Sequence, residues 1–239
     1  PTAQLLAAAR ALGIQVLTNE SLNNLGQRII NLQLPPGMSV RQAIALMERN
    51  PNFPLATING VYRTTQAEPA MTKGDPAQYM VAKLNLEQVH PVATGRGVTI
   101  AVIDSEDDKK HTELQGAISE ALDALGAKAT PHSHGTAMAG AIASRDRLLG
   151  VAPHAKILAV RAFGEASNTA EGTSLTIIKG IEWAVSQGAK VINMSFAGPR
   201  DPALERALKA ARDKGVVLIA AAGNAGPKSP PLYPAADPN

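Results

Sequence analysis

The stretch "PHSHGTAMAG", residues 131–140, holds two histidines at spacing two, then Gly-Thr and a run of small apolar residues. Imidazoles placed this way serve one of two chemistries. His132 and His134 can ligate a metal, but such a site needs further donors, and Asp104 and His111 are the evident candidates. Alternatively, one histidine is a general base, which needs a carboxylate to orient it and a donor for the charge it helps create. Three other residues sit where such groups are useful. Asp104 follows "VTIAVI", Ser195 follows "KVINM" and Asn224 follows "VVLIAAAG". A carboxylate, an imidazole and a side-chain amide gathered at one place supply an orienter, a base and an oxyanion donor, the parts of acyl transfer.

The elements that must bring them together begin at Gly97. "VTIAVID" (98–104), "KILAVRAF" (156–163), "KVINMSF" (190–196) and "VVLIAAAG" (216–223) are continuous apolar runs. Such runs suit strands buried on both faces of a parallel sheet. Between the last three lie helical stretches, "TSLTIIKGIEWAVSQG" and "PALERALKAARDKG", each ended by glycine. This alternation predicts right-handed crossovers and an α/β fold with a doubly wound parallel sheet. Ligands in such sheets bind beyond the carboxyl ends of the strands, where Asp104, Ser195 and Asn224 fall. His134 joins them if "GTAMAGAIAS" is a helix starting beside it.

Residues 1–66 read as a separate, small α/β unit. "TAQLLAAARAL" has helical spacing, "QRIINLQLP" is a strand closed by a Pro-Pro-Gly turn, Ser39 can cap the helix "VRQAIALMERN", and "LATINGVYRTT" is a further strand. Two strand–helix passages in so short a unit suggest a split βαβ sandwich. Residues 67–92 mix Pro, Gly, Lys and Asp with a short helical stretch, "AQYMVAKLNL", and read as an exposed, cleavable linker.

Composition excludes several classes. Apolar residues make up 45% and charged residues 18% of the 239, as in an ordinary globular protein. The net charge of +3 comes with no basic cluster interleaved with aromatics, so nucleic acid is not an expected partner. There is no cysteine, hence no disulfide framework and no thiol chemistry. No apolar run approaches the length of a membrane span. The chain opens at Pro1 without a methionine or a signal peptide and reads as a processed or truncated piece.

At its motif-bearing stretches the chain resembles the subtilisin-like serine proteases. The matching stretches, in order, are "VTIAVIDSEDDKKHTEL", "HSHGTAMAGAIAS", "LLGVAPHAKILAVRAF", "GIEWAVSQGAKVINMSFAGP" and "VVLIAAAGNAG", within about residues 93–239. The resemblance implies a serine endopeptidase without cofactor or metal in its chemistry. It makes Asp104 the triad aspartate, His134 the triad base and Asn224 the side-chain oxyanion donor. Ser195, Phe196, Ala197 and Gly198 match the strand segment that pairs with an extended polypeptide substrate. His132 is then a loop neighbour. Residues 1–66 look like the family's ferredoxin-like propeptide, which assists folding and inhibits by laying its tail, here about "YRTTQAEPA", through the cleft. The family's setting implies a secreted or periplasmic zymogen with a maturation site in the linker.

Three features depart from that pattern. The family's nucleophile lies in a Gly-Thr-Ser-Met-Ala-type motif, and none occurs in these 239 residues. Ser174 in "EGTSLT" echoes it but precedes the substrate strand. The expectation is therefore a truncated zymogen, residues 93–239 being the first part of a catalytic domain, inactive alone. Glu106 stands where the family usually has glycine and is expected to be solvated, within the acidic run "SEDD". Finally, "SRDRLLGVAP" is shorter and more basic than the calcium loop of secreted subtilisins, which argues against calcium there.

The remaining motifs read as structure. His111 is expected to be a hydrogen-bonding residue near the Asp104 loop, and His90 and His154 to lie at the surface. Gly95-Arg96-Gly97 precedes its strand and is no dinucleotide fingerprint. A rival reading is a non-catalytic subtilase-like protein that binds or inhibits peptides.

Overall fold

The Ala- and Leu-rich start of the chain forms helix α1 (Thr2–Ala11). Strands β1 (Gln15–Leu22) and β2 (Gln27–Gln33) follow and pair antiparallel as a hairpin. A computed structural model describes residues 2–53, 55–64, 78–126, 130–166 and 169–239. Helix α2 (Val40–Glu48) is started by Ser39: its hydroxyl accepts the Gln42 N–H, and the Gln42 side chain accepts the Ser39 N–H at 3.0 Å. That reciprocal cap satisfies two donors the first helical turn would otherwise leave unpaired. Ala9, Ile14, Ala43, Met47 and Phe53 close a small core between the helices and the hairpin.

The expected strand "LATINGVYRTT" is realised only as β3 (Val61–Thr64), while residues 55–60 form no ladder. Most of the expected maturation segment, residues 65–77, lies outside the described residues. The helical stretch after it is two short helices, α3 (Tyr79–Lys83) and α4 (Leu86–Val89), because Asn85 between them takes φ +56°.

The second unit supplies, in chain order, β4 (Thr99–Asp104), β5 (Ile118–Asp123), α5 (Ser133–Ala143) and β6 (Lys156–Arg161). There follow β7 (Phe163–Ala166), β8 (Thr169–Thr173), α6 (Ser174–Ser186) and β9 (Val191–Met194). β10 (Phe196–Ala197), α7 (Pro202–Asp213) and β11 (Val217–Ala220) complete it. Five strands form a parallel sheet in the order β11-β9-β4-β6-β5. β4 lies at its centre and is covered on both sides. Ala101 and Ile103 pack in the cluster with Ile177, Ile178 and Ile181 of α6, while Ile100 and Val102 share another with Ala143 of α5. Burying one such aliphatic side chain is worth about 1.5–3 kcal/mol, in keeping with the run "IAVI" after Thr99, which has no polar residue until Asp104. The edge strand β11 leaves Val217 and Ile219 about half exposed.

Two features of the strands matter for the site. "KILAVRAF" is not one strand, unlike the sequence reading: it breaks at Ala162, and Phe163 opens a β7–β8 hairpin. The other agrees with the expectation that the tail starting at Tyr62 reaches the Ser195–Gly198 strand: β3 leaves its own unit. It runs antiparallel between β8 and β10 in a second sheet of order β10-β3-β8-β7. Thr64 stands opposite Phe196 and Arg63 opposite Ala197, with Tyr62 opposite Gly172 on the other side.

Candidate active site

β11, β9 and β4 are neighbours, and all three point their carboxyl ends to one edge. Asn224, Ser195 and Asp104 lie at or just beyond those ends, as their positions in the sequence implied. The fourth residue arrives by a helix. α5 starts at the same edge, and His134 on its first turn puts Nδ1 2.7 Å from Oδ1 of Asp104. Both side chains are buried, Asp104 completely.

The local sequence explains the fit. His132 caps α5, its Nδ1 accepting the His134 N–H at 3.2 Å. The Gly135 N–H donates to the Ser105 hydroxyl at 3.0 Å, and the Ser105 N–H donates to Oδ1 of Asp104 at 2.7 Å. From the other side, the His132 N–H donates to the Glu106 carbonyl at 2.8 Å, and the Asp108 N–H to the Thr136 hydroxyl at 2.8 Å. The loop after β4 is thus stitched to the first turn of α5. Only glycine fits at 135, because a Cβ there would meet the Ser105 carbonyl oxygen at 2.5 Å. The two histidines of the opening motif therefore do different things: one caps the helix, the other faces the carboxylate. With Asp104 ionised, Nδ1 of His134 carries the proton and Nε2 is left as the basic nitrogen.

Several single-residue expectations can be placed. His111 accepts the Glu113 N–H at 3.3 Å, in the loop between β4 and β5. Glu106 pairs with Lys109 at 3.2 Å. His154 is exposed, whereas His90 is half-buried with Nε2 3.1 Å from the Val151 carbonyl. Ser174 is the first residue of α6, and its hydroxyl takes the Gly60 N–H at 2.9 Å and faces the Gly60 carbonyl at 3.3 Å. In the loop "SRDRLLGVAP", the buried carboxylate of Glu113 accepts the N–H groups of Asp146, Arg147 and Leu148 at 3.3, 3.0 and 2.9 Å.

The expected substrate strand is only partly a strand. Phe196 and Ala197 pair with β3, but Gly198 exchanges both of its backbone hydrogen bonds with Tyr233, at 2.8 and 3.0 Å. Ser195 accepts from the Asn193 side chain at 2.9 Å. Asn224 is exposed in the loop beyond β11.

Two residues of the site went unread in the sequence. Asp107 is only 3% exposed, and its Oδ1 has no hydrogen-bond partner among the described residues. Burial, then the charges of Asp104 and Glu106, push its carboxyl up to about 7. Nothing in a run such as "SEDD" says which carboxylate turns inward. Tyr62 is completely buried, although it belongs to the N-terminal unit. The family resemblance sends this tail to the Ser195–Gly198 strand, but no sequence signal marks how deeply its tyrosine is buried there.

Comparison with known proteins identifies the family. The profile of the subtilase family matches residues 95–239, more than half of the chain. Thermitase of Thermoactinomyces vulgaris is 37% identical over 176 residues, covering 69% of this chain and 62% of that protein. Subtilisin E of Bacillus subtilis (strain 168) is 38% identical over 155 residues, covering 62% of this chain and 40% of that protein. This chain therefore spans about two fifths to three fifths of the length of these relatives. Among solved structures, fervidolysin from Fervidobacterium pennivorans superposes with a TM-score of 0.73 at 24% identity, over 98% of this chain and 40% of that one. That likeness concerns the fold, and it extends through both units. No helix among the described residues is long and apolar enough to cross a membrane.

Proposed function

Because the chain belongs to the subtilase family, we propose that it is the N-terminal part of a serine endopeptidase zymogen, acting on polypeptides outside the cytoplasm. The observation that carries this reading is the buried 2.7 Å contact between His134 Nδ1 and Asp104 Oδ1. Asp104 holds the imidazole so that Nε2 faces the reaction. Nε2 takes the proton of the attacking serine hydroxyl as its oxygen adds to the scissile carbonyl, then hands that proton to the leaving amine. The Asn224 side chain donates to the oxyanion that forms between these steps. The serine itself belongs to the portion of the relatives' length that this chain does not span, since its 239 residues hold no Gly-Thr-Ser-Met-Ala-type motif.

Residues 1–66 are, in this reading, an inhibitory propeptide. What supports the ferredoxin-like reading is their α–β–β–α order, the same as the middle of a β-α-β-β-α-β arrangement. The pairing of β3 with Phe196 and Ala197 supports the inhibitory role, because a strand added there gains main-chain hydrogen bonds as a substrate would. Maturation then cuts between Thr65 and Gln78. The test is fluorophosphonate labelling of the complete parent protein. A single labelled serine, lost in His134→Ala, is the expected result; no labelling, or labelling indifferent to His134, refutes the proposal.

A further inference from the structure

Asp107 is a buried acid that the mechanism does not use. It is held in place from both sides along the chain. The Glu106 carbonyl before it accepts the His132 N–H at 2.8 Å, and the Asp108 N–H after it donates to the Thr136 hydroxyl at 2.8 Å. Its backbone therefore lies across the first turn of α5, the turn that carries His134. Asp104, Asp107 and His134 are 0%, 3% and 5% exposed. Asp104 Oδ1 takes the Ser105 N–H and faces His134 Nδ1, but neither Asp104 Oδ2 nor Asp107 Oδ1 has a partner among the described residues. Two carboxyl groups and one imidazole thus share a dry place with too few donors for two negative charges.

We propose that Asp107 is a positioning residue for the catalytic proton: neutral, it leaves the His134 imidazole free, and ionised, it holds that ring as imidazolium. The proposal rests on the endopeptidase reading and gives its site a pH range. One proton serves two arrangements of equal charge, imidazole beside the neutral acid and imidazolium beside the carboxylate. Only the first leaves Nε2 able to take the serine proton. A second buried negative charge favours the other. The surroundings leave His134 as the group that answers. On the loop, Asp104 and Glu106 reinforce burial in keeping Asp107 neutral, and Lys109 opposes them. Asp108 turns to the Lys110 N–H at 3.0 Å, and Glu113 to the N–H groups of residues 146–148. On α5 and its cap only His132 and His134 titrate, and Nδ1 of His132 is taken by the His134 N–H. Because the Asp107 carboxyl is pushed up to about 7, the exchange falls in the neutral range. The protease is held back in weakly acidic surroundings and reaches full turnover once both protons have left.

The test is the pH profile of kcat/KM for the complete, matured protein and its Asp107→Asn variant, whose amide has the shape of the neutral acid. In the variant the acid limb should move to lower pH by about half a unit and follow a single ionisation. Identical acid limbs overturn the proposal and leave the protease reading standing. If the wild-type protein hydrolyses nothing, the protease reading fails instead, and nuclear magnetic resonance of the His134 ring decides the proposal. In wild type that ring should titrate over a wider pH range than one ionisation spans. A one-proton curve there overturns the proposal, and this readout holds even if Asp107→Asn does not fold.

Discussion

Gly135 and Ser105 touch backbone to backbone: a Cβ on Gly135 would lie 2.5 Å from the Ser105 carbonyl oxygen. This close approach lets α5 start against the end of β4 and brings His134 onto Asp104. Gly135→Ala must push the two apart. We expect a loss of about 1–3 kcal/mol in stability, as for other overpacked sites, and a larger proportional loss of turnover because the imidazole is displaced. Denaturant unfolding and steady-state kinetics check both; an alanine variant with wild-type stability and turnover would mean that the contact positions nothing.

Asn224→Ala, in the complete protease, should lower kcat by about 10²–10³ with little change in KM, because the lost donor serves the transition state rather than the bound substrate. An unchanged kcat removes Asn224 from the chemistry.

Asp107 makes stability depend on pH. Its folded pKa of about 7 lies above the ordinary value of 3.8 for an unfolded aspartate, so between these values the native state holds a proton that the unfolded chain has released. The contribution is full below pH 4 and is lost as pH rises through 7. Asp107→Asn has no carboxyl to ionise. It should therefore gain stability relative to wild type between pH 5 and 8, by up to about 4 kcal/mol at 1.36 kcal/mol per unit. Urea midpoints across that range measure the difference, and parallel curves for the two proteins would show that Asp107 is ionised in the native state.

The site was legible in the sequence where a polar residue interrupts an apolar run. "TIAVI" leading into Asp104 gave both the buried strand and its functional end, because a strand covered on two faces tolerates no polar residue except at its terminus. His134 was legible through Gly-Thr and the small residues after it. The destination of β3 followed from the family resemblance, not from its own residues, since the alternation in "VYRT" is the same whether β3 pairs within its unit or on Phe196. The depth of Tyr62 was not legible at all, because it is a property of the surface the ring meets. β1 carries no strand signal, because "QVLTNESL" offers mostly polar residues to a hairpin that is largely exposed on one face. Asp107 was hidden by its acidic neighbours.

The N-terminal unit gives a maturation prediction. N-terminal sequencing of the mature enzyme should find a start between Gln66 and Gln78, and residues 1–64 added back should inhibit it at micromolar concentration. Tyr62→Ala in the added unit should weaken inhibition by about a hundredfold, as expected for one buried aromatic anchor. A mature start upstream of residue 60, or inhibition indifferent to Tyr62, would assign residues 1–66 another role.

The central claim is that the Asp104–His134 pair drives serine proteolysis. Its most direct measurement is peptide hydrolysis by the complete, matured protein and by its His134→Ala and Asp104→Asn variants, each verified as folded. We expect kcat to fall by about 10⁴-fold or more in both, since the site loses its basic imidazole in one and the orientation of that imidazole in the other. Hydrolysis within tenfold of wild type in either variant would contradict it.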